Sequence, residues 1–175
     1  MNLILRELTA ADERTFFDGF KEWAGEDPSW YTFSWKEGMS YGEMLEILRK
    51  EALGIELAPG RVPHTMLYGF LDGKIIGRVS VRHTLNDYLR KRGGHIGYAV
   101  APKFRGKGYA SEMVRQALEF CKSLGLKSIM ITCSDTNVPS WKIIERFGGK
   151  LEDRILDDEE NELMRRYWIG EIPSR

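Results

Sequence analysis

The sequence predicts one mixed α/β domain, and three observations support this prediction. The stretch 108–124 is typical of an amphipathic helix, because its apolar residues recur on one helical face. Short apolar stretches at 95–100 and 128–133, which lie before and after it, are typical of strands. Asp72-Gly73 lies between two further apolar stretches and indicates the tight turn of a hairpin. A chain of 175 residues is long enough to bury a sizeable core.

The first half of the chain predicts an opening strand at 3–8 and a helix capped by Thr9 and Asp12 that ends near Trp23. The stretch 26–38 is rich in aromatic residues and turn formers and predicts an ordered loop. The other elements predicted here are a helix at 41–53 and hairpin strands at 65–71 and 74–83.

The second half continues with an irregular or helical piece at 85–92 and the strand at 95–100. Gly125 is placed to end the long helix that follows. The remaining predicted elements are strands at 128–133, 150–155 and 163–169, a short helix at 137–147, and an acidic exposed turn at 157–160.

Composition excludes several classes of function. The chain has 26 basic and 26 acidic residues, so its net charge gives no reason to expect a nucleic-acid partner. Cys121 and Cys133, the only two cysteines, lie in no metal-ligand pattern, and we expect neither a disulfide framework nor a metal. Early charges and the lack of a long apolar run predict no secretory signal and no membrane partner, which favours a reducing cytoplasm.

The stretch 98–110 predicts a strand, a loop with two glycines and the start of a helix. Unpaired backbone N–H groups gather at such a junction, at the positive end of the helix dipole, and could cradle a phosphate or pyrophosphate. Arg105 and Lys107 add positive charge there. The alternative is an ordinary turn with solvated basic residues. A nucleotide P-loop is disfavoured, because no Lys-Ser or Lys-Thr pair follows the glycines.

The run Arg105-x-x-Gly108-x-Ala110 resembles the acyl-coenzyme A (acyl-CoA) signature of the GCN5-related N-acetyltransferase (GNAT) superfamily. A second block, from Asn137-x-x-Ser140 to the glycines at 148–149, is similar to the later helix and glycine turn of that family. The resemblance covers about residues 66–155. It implies a twisted, mostly antiparallel sheet of six to seven strands, flanked by helices and splayed between the fourth and fifth strands. It also implies that residues 1–175 form a single acyl-CoA N-acyltransferase domain.

The resemblance further implies that acetyl-CoA is the co-substrate. Loop amides would hold its pyrophosphate, the edge of the strand at 98–100 would pair with the pantetheine amides, and the Val100 amide would stabilise the thioester oxygen. The residues implied for the cofactor are Tyr98, Ala99, Val100, Arg105, Gly106, Lys107, Gly108, Tyr109, Ala110, Asn137 and Ser140. An amine of a small molecule or peptide would attack the thioester directly.

Catalytic residues do not follow from the resemblance. The stretch 93–97 has no carboxylate where many family members carry a glutamate base, and Ile144 fills the place of a tyrosine acid. His95 is the candidate base because it titrates near neutral pH, with a structural histidine as the alternative. Tyr98 is the candidate acid for the leaving thiolate, with a packed strand aromatic as the alternative. An ordered water chain is a further alternative to any single base.

The stretch 30–35, rich in aromatic residues, and Arg82-His83 are predicted to shape the acceptor pocket, although the aromatic residues would equally pack helices onto the sheet. Glu26 and Asp27 would attract a cationic amine, or are simply solvated. Cys133 is expected to be a buried small hydrophobe rather than an acyl-enzyme nucleophile.

Other functions also fit the sequence. A CoA-binding sensor or scaffold without turnover fits the missing glutamate and tyrosine, and a nucleotide-phosphate domain is a weaker alternative. The oligomeric state is left open, with a homodimer among the alternatives.

Overall fold

The described part of the chain, residues 2–27 and 29–171 of a computed structural model, folds into seven strands and six α-helices. The strands are β1 (Leu3–Arg6), β2 (His64–Leu71), β3 (Lys74–Arg82), β4 (Ile96–Val100), β5 (Ser128–Ser134), β6 (Lys150–Asp157) and β7 (Glu162–Gly170). The helices are α1 (Glu13–Gly19), α2 (Ser29–Thr32), α3 (Tyr41–Leu53), α4 (Asp87–Lys91), α5 (Tyr109–Ser123) and α6 (Val138–Arg146). The mixed α/β class is confirmed.

The strands form two antiparallel sheets, in the orders β1-β2-β3-β4 and β5-β7-β6. The sheets are joined just before β4, where the His95 amide donates to the Met130 carbonyl of β5 over 2.7 Å. Within the described ranges β4 and β5 do not pair beyond this point, so an opening separates them. The splay between the fourth and fifth strands is therefore confirmed.

Helix α5 packs closely on the first sheet because two glycines remove side chains beneath it. Gly69 and Gly77 lie opposite each other on β2 and β3. A Cβ atom at Gly77 would lie 2.5 Å from the Ala99 carbonyl oxygen and 3.0 Å from the Met113 side chain. The buried stripe of α5 consists of Met113, Val114, Ala117, Leu118 and Cys121. Burial of this stripe fixes the helix so that its N-terminus follows the end of β4.

Helices α1, α2 and α3 cover the opposite face of the first sheet through an aromatic cluster. The Tyr31 and Phe16 rings stack at 5.1 Å, and the Tyr31 hydroxyl donates to the Phe16 carbonyl over 2.7 Å. Tyr31 therefore packs a helix onto the sheet, whereas its neighbour Trp30 is 55% exposed. The prediction of a loop at 26–38 was wrong in one respect. It contains the short helix α2, which begins where the Asp27 carboxylate accepts from the Ser29 amide over 2.8 Å.

The acidic turn is shorter than predicted, because Asp157 belongs to β6. The Asp157 carboxylate accepts a hydrogen bond from the guanidinium of Arg92, the residue that follows α4, over 2.8 Å. Asp157 is therefore part of an ion pair. No helix within the described residues is long and apolar enough to cross a membrane.

Candidate functional site

The edge of β4 that faces the opening carries free backbone groups. Arg82 donates from its amide to the His95 carbonyl, and Ala101 donates to the Ile76 carbonyl, so every second residue of β4 faces β3. The amides of Tyr98 and Val100 and the carbonyl of Tyr98 consequently face the opening without a partner on β3, whereas the Val100 carbonyl accepts from Arg105. A ligand with amide groups can pair with this edge as an added strand.

A run of backbone amides lies at the N-terminus of α5. The first hydrogen bond of this helix runs from Glu112 to the Gly108 carbonyl, and no acceptor in the described chain bonds the amides of 106–111. Gly106 and Gly108 adopt φ values of 73° and 82°, which favour glycine, and a Cβ at Gly106 would meet nothing within 4 Å. These amides and the positive end of the helix dipole suit a phosphate or pyrophosphate.

Arg105, which precedes the glycine loop, already has hydrogen-bond partners within the protein. Its Nε donates to the Val100 carbonyl over 2.8 Å, and its other two nitrogens donate to the Glu26 carboxylate over 2.6 and 2.7 Å. This pair raises the pKa of Arg105 and lowers that of Glu26. Glu26 is therefore exposed but paired with Arg105, so it is not a free attractor for a cationic amine.

Tyr98 meets α6 across the opening. Its hydroxyl lies 2.8 Å from the Ser140 hydroxyl, and burial raises the pKa of Tyr98 to about 12. The Cys133 thiol lies on the adjacent strand, and burial raises its pKa to about 11, which favours the protonated thiol. Asn137 caps α6 by accepting from the Ser140 amide over 3.2 Å. A protonated phenol therefore lies between the β4 edge and α6, where it can donate a proton.

His95 joins the two sheets through its side chain as well as its backbone. Its Nδ1 accepts from the Met130 amide over 2.9 Å, and only 6% of the residue is exposed. Burial, followed by the charges of Arg90 and Arg82, lowers the pKa of His95 to about 4. These contacts favour the structural alternative, because so weak a base removes a proton from an ammonium group poorly.

Phe33 lies at the centre of the predicted acceptor side. The Cζ atoms of Arg61 and Arg78 lie 4.8 and 5.0 Å from its ring centroid. His83 bonds the Thr65 hydroxyl through Nε2 over 2.9 Å. Arg78 is 4% exposed, and its one sequence signal is its spacing four residues before Arg82 in an otherwise apolar strand.

Polar residues at the end of β5 have structural partners. The Asp135 carboxylate accepts from Arg165 Nε over 2.6 Å, and Arg154 Nε lies 3.3 Å from it. The Ser134 hydroxyl lies 2.8 Å from the Thr136 hydroxyl. Within residues 2–27 and 29–171, no cluster of three or more metal-ligating side chains occurs.

Comparison with protein-family models decides the family. Residues 2–150 match the acetyltransferase (GNAT) domain. The chain belongs to the GNAT family. Acetyl-CoA is the co-substrate of GNAT acetyltransferases, and the exposed amides at α5 beside the free β4 edge fit its diphosphate and pantetheine groups.

Two curated GNAT relatives match part of the chain. The uncharacterized N-acetyltransferase YnaD of Bacillus subtilis (strain 168) is 33% identical over 66 residues, which is 37% of this chain and 39% of YnaD. The L-amino acid N-acetyltransferase AaaT of Escherichia coli (strain K12) is 27% identical over 90 residues, which is 49% of this chain and 53% of AaaT. The matched part thus spans about half or less of these relatives.

Solved structures share the GNAT fold over nearly the whole length. A putative acetyltransferase from Salmonella typhimurium, solved with its cofactor acetyl-CoA, superposes with a TM-score of 0.61 at 12% identity. The match covers 97% of this chain and 94% of that chain. This likeness supports the fold. Within that fold the side chain of Ile144, on α6, is fully buried.

Proposed function

We propose that residues 1–175 act as one N-acetyltransferase domain that moves the acetyl group of acetyl-CoA directly to an amine of a small molecule or peptide. The observation that carries this proposal is the run of unbonded amides at 106–111, which lies next to the free edge of β4. One end of this surface suits a diphosphate, and the other suits the amides of a pantetheine arm.

The residues divide the binding work between them. The amides of Gly106 to Ala110 bind the diphosphate, and Lys107 adds positive charge at the same loop. The Tyr98 and Val100 backbone groups hold the pantetheine arm against β4, and Ala99 lies between them on the same strand. Asn137 and Ser140 contact the arm from α6. Arg105 borders the site while it stays paired to Glu26.

The chemical step follows from this placement. The amine nitrogen attacks the thioester carbonyl carbon, and the Val100 amide stabilises the oxygen as it gains negative charge. When the carbon–sulfur bond breaks, the leaving sulfur takes the proton of Tyr98, whose raised pKa keeps that proton in place at neutral pH. The attacking nitrogen gives up its remaining extra proton as it becomes the neutral amide, and this proton returns to the Tyr98 oxygen through water. The proton of the ammonium group leaves to water, because the low pKa of His95 makes it a weak base.

Release of free CoA thiol tests this function. Purified protein is incubated with acetyl-CoA and a panel of amino acids, polyamines, aminoglycosides and peptides, and thiol release is scored against an amine-free control. We expect acceptor-dependent release together with a product heavier by one acetyl group. If no amine on the panel caused thiol release although calorimetry showed acetyl-CoA binding, the sensor alternative would be favoured. That alternative is motivated by the lack of a glutamate near His95 and by isoleucine, in place of tyrosine, at Ile144.

A further inference from the structure

The face of the first sheet opposite α5 carries two arginines without acidic partners. Arg78 and Arg82 lie four residues apart on β3, so their side chains emerge on the same face. Arg78 Nε donates to the Trp30 carbonyl, and Arg82 donates to the carbonyls of Gly93 and Gly94. Each of these acceptors is neutral, and no carboxylate in the described part of the chain forms an ion pair with either guanidinium.

Burial of these two charges is unfavourable without a counterion. Loss of water lowers the pKa of Arg78 to about 10. The same cause, followed by the charges of Arg78 and Arg61, lowers the pKa of Arg82 to about 10. The acidic Glu51 is satisfied elsewhere, because it accepts from the Ser34 hydroxyl over 2.9 Å and lies 3.4 Å from His64 Nε2. An anion bound at Arg82 would relieve this repulsion.

A cavity of about 670 Å³ gives a ligand access to this face. Residues that line it include Phe33, Arg61, His64, Arg82, Asp87 and Tyr88. Phe33 has a φ of 50°, which is uncommon for a bulky residue and is a form of strain that clusters at ligand sites. The cavity thus combines aromatic surface with two arginines, Arg61 and Arg82, against the single carboxylate of Asp87, and this excess of positive charge suits a small organic anion.

The arginine side of the cavity contacts β4, the strand that carries Tyr98 and Val100 of the proposed acetyl-transfer site. A Cβ at Gly97 would lie 2.9 Å from Arg82 NH1, so the guanidinium lies directly on β4, one residue before Tyr98. Ser80 lies opposite Gly97, between the two arginines along β3. Its hydroxyl is fully buried and has no hydrogen-bond partner in the described residues. Three polar groups on this face therefore lack their full complement of partners.

We propose that Arg82, which lines the cavity, binds a carboxylate of the acceptor and that the charge of Arg78 on the same face strengthens this binding, so that the acceptor class is a small amine that carries a carboxylate. The inference rests on the proposed acetyl transfer. An arginine fork matches a carboxylate with two parallel hydrogen bonds. An α-amine lies two bonds from the carboxylate carbon, so a carboxylate held by Arg82 beside Gly97 keeps the amine close to β4, the strand on which Tyr98 follows.

Matched acceptors test the charge requirement on the unaltered protein. L-methionine and L-phenylalanine are each compared with the corresponding amino acid amide, decarboxylated amine and aminophosphonate. We expect kcat/KM for the carboxylate to exceed that for the amide and the decarboxylated amine by about 100-fold, because the analogue leaves buried donors unpaired. Equal values for acid and amide would overturn the inference, and preference for the phosphonate would overturn the assignment to a carboxylate.

Two variants locate the charge requirement. Arg82→Gln removes the guanidinium, and Gly97→Ala keeps it but displaces it, because the new methyl group would contact NH1. We expect either variant to lower the acid-to-amide ratio at least about tenfold by weakening the bidentate pair. The control is Arg49→Gln, which removes an exposed arginine of α3 that pairs with Glu46. An unchanged ratio in folded Arg82→Gln and Gly97→Ala would overturn the site.

Calorimetry separates the two proposals. Titration of CoA into the unaltered protein tests the cofactor site, and titration of L-methionine into the CoA-bound protein tests the carboxylate site without turnover. Failure to bind CoA would refute the proposed function. Binding of CoA together with indifference to the carboxylate, in both titration and turnover, would refute the present inference alone.

Discussion

The imidazole of His95 and the backbone amide of Met130 are joined by a 2.9 Å hydrogen bond in which Nδ1 is the acceptor. The same histidine donates from its own amide to the Met130 carbonyl over 2.7 Å. Two hydrogen bonds between one pair of residues therefore hold the sheets together at the point from which β4 and β5 separate. This relationship makes His95 a positioning residue for the opening.

Substitution of His95 distinguishes positioning from proton transfer. His95→Asn retains a side-chain oxygen near the place of Nδ1, whereas His95→Leu leaves the buried Met130 amide unpaired, which costs about 1–3 kcal/mol. We therefore expect His95→Asn to keep kcat within about threefold and His95→Leu to lower the free energy of unfolding, since general-base loss alone removes about 10²-fold or more. A 10²-fold or larger fall of kcat in folded His95→Asn, about the size of general-base loss, would reinstate His95 as the base.

The pH dependence of stability gives a second readout for His95. Its pKa of about 4 in the fold lies below the usual value of about 6.5, so the unfolded chain takes up a proton first. The stabilising contribution is present above about pH 6.5 and declines as the pH falls toward about 4. Denaturant titrations of the unaltered protein should show this decline, and His95→Asn should lack that component. Identical pH profiles would contradict the assigned ionisation.

Gly108 tests the diphosphate site. Gly108→Glu would place a carboxylate at the α5 N-terminus, and we expect it to weaken CoA binding by about 100-fold or more through charge repulsion and loss of space. Gly108→Ala is the matched control, because it carries the same strain at φ 82° without a charge. Calorimetry of both variants measures the difference. Equal CoA affinity in folded Gly108→Glu and Gly108→Ala would refute the placement.

Much of the fold could be predicted from the sequence because the local apolar patterns match the residues that the structure buries. The apolar stripe of α5 and the Asp72-Gly73 turn each occur where the sequence indicates them. The helix α2 could not be predicted from the local sequence pattern, since a single helical turn is stabilised mainly by burial of Tyr31. Aromatic spacing alone does not reveal which ring is buried.

The candidate site was only partly accessible to sequence analysis. Contiguous features such as the glycine loop could be read from residue order. The pair of Glu26 with Arg105 and the contact of His95 with Met130 join residues far apart in the chain, and no spacing rule connects them. Arg78 was equally hidden, because its burial depends on Phe33 and Trp30 of another segment.

Tyr98 tests the proposed acid. Tyr98→Phe removes the hydroxyl that contacts Ser140 but keeps the ring, and we expect kcat to fall by about 10²-fold with little change in CoA affinity. Ser140→Ala is the control, because it removes the partner hydroxyl and leaves the proton donor. Steady-state kinetics with a defined acceptor measure both. If Tyr98→Phe turned over as fast as Ser140→Ala, the leaving sulfur would have to take its proton from water.

Asp12 tests the N-terminal segment that precedes α1. Its buried carboxylate accepts two hydrogen bonds from Arg6, over 2.7 and 2.8 Å, and two from Thr9. These contacts, with Arg6 as the largest cause, lower its pKa to about 2. Asp12→Asn should therefore lower the free energy of unfolding by about 2 kcal/mol at neutral pH, whereas the exposed Glu13→Gln should change it by less than about 0.5.

The effect of Asp12 should also depend on pH in one direction. Because the pKa in the fold lies below the usual value of about 3.9, the unfolded chain is protonated first as the pH falls. The stabilisation is complete above about pH 4 and is lost toward about pH 2, so the difference between the unaltered protein and Asp12→Asn should shrink over that interval. Urea titrations between these pH values measure it. A difference that stayed constant would show that shape, and not the charge shared with Arg6, sets the contribution of Asp12.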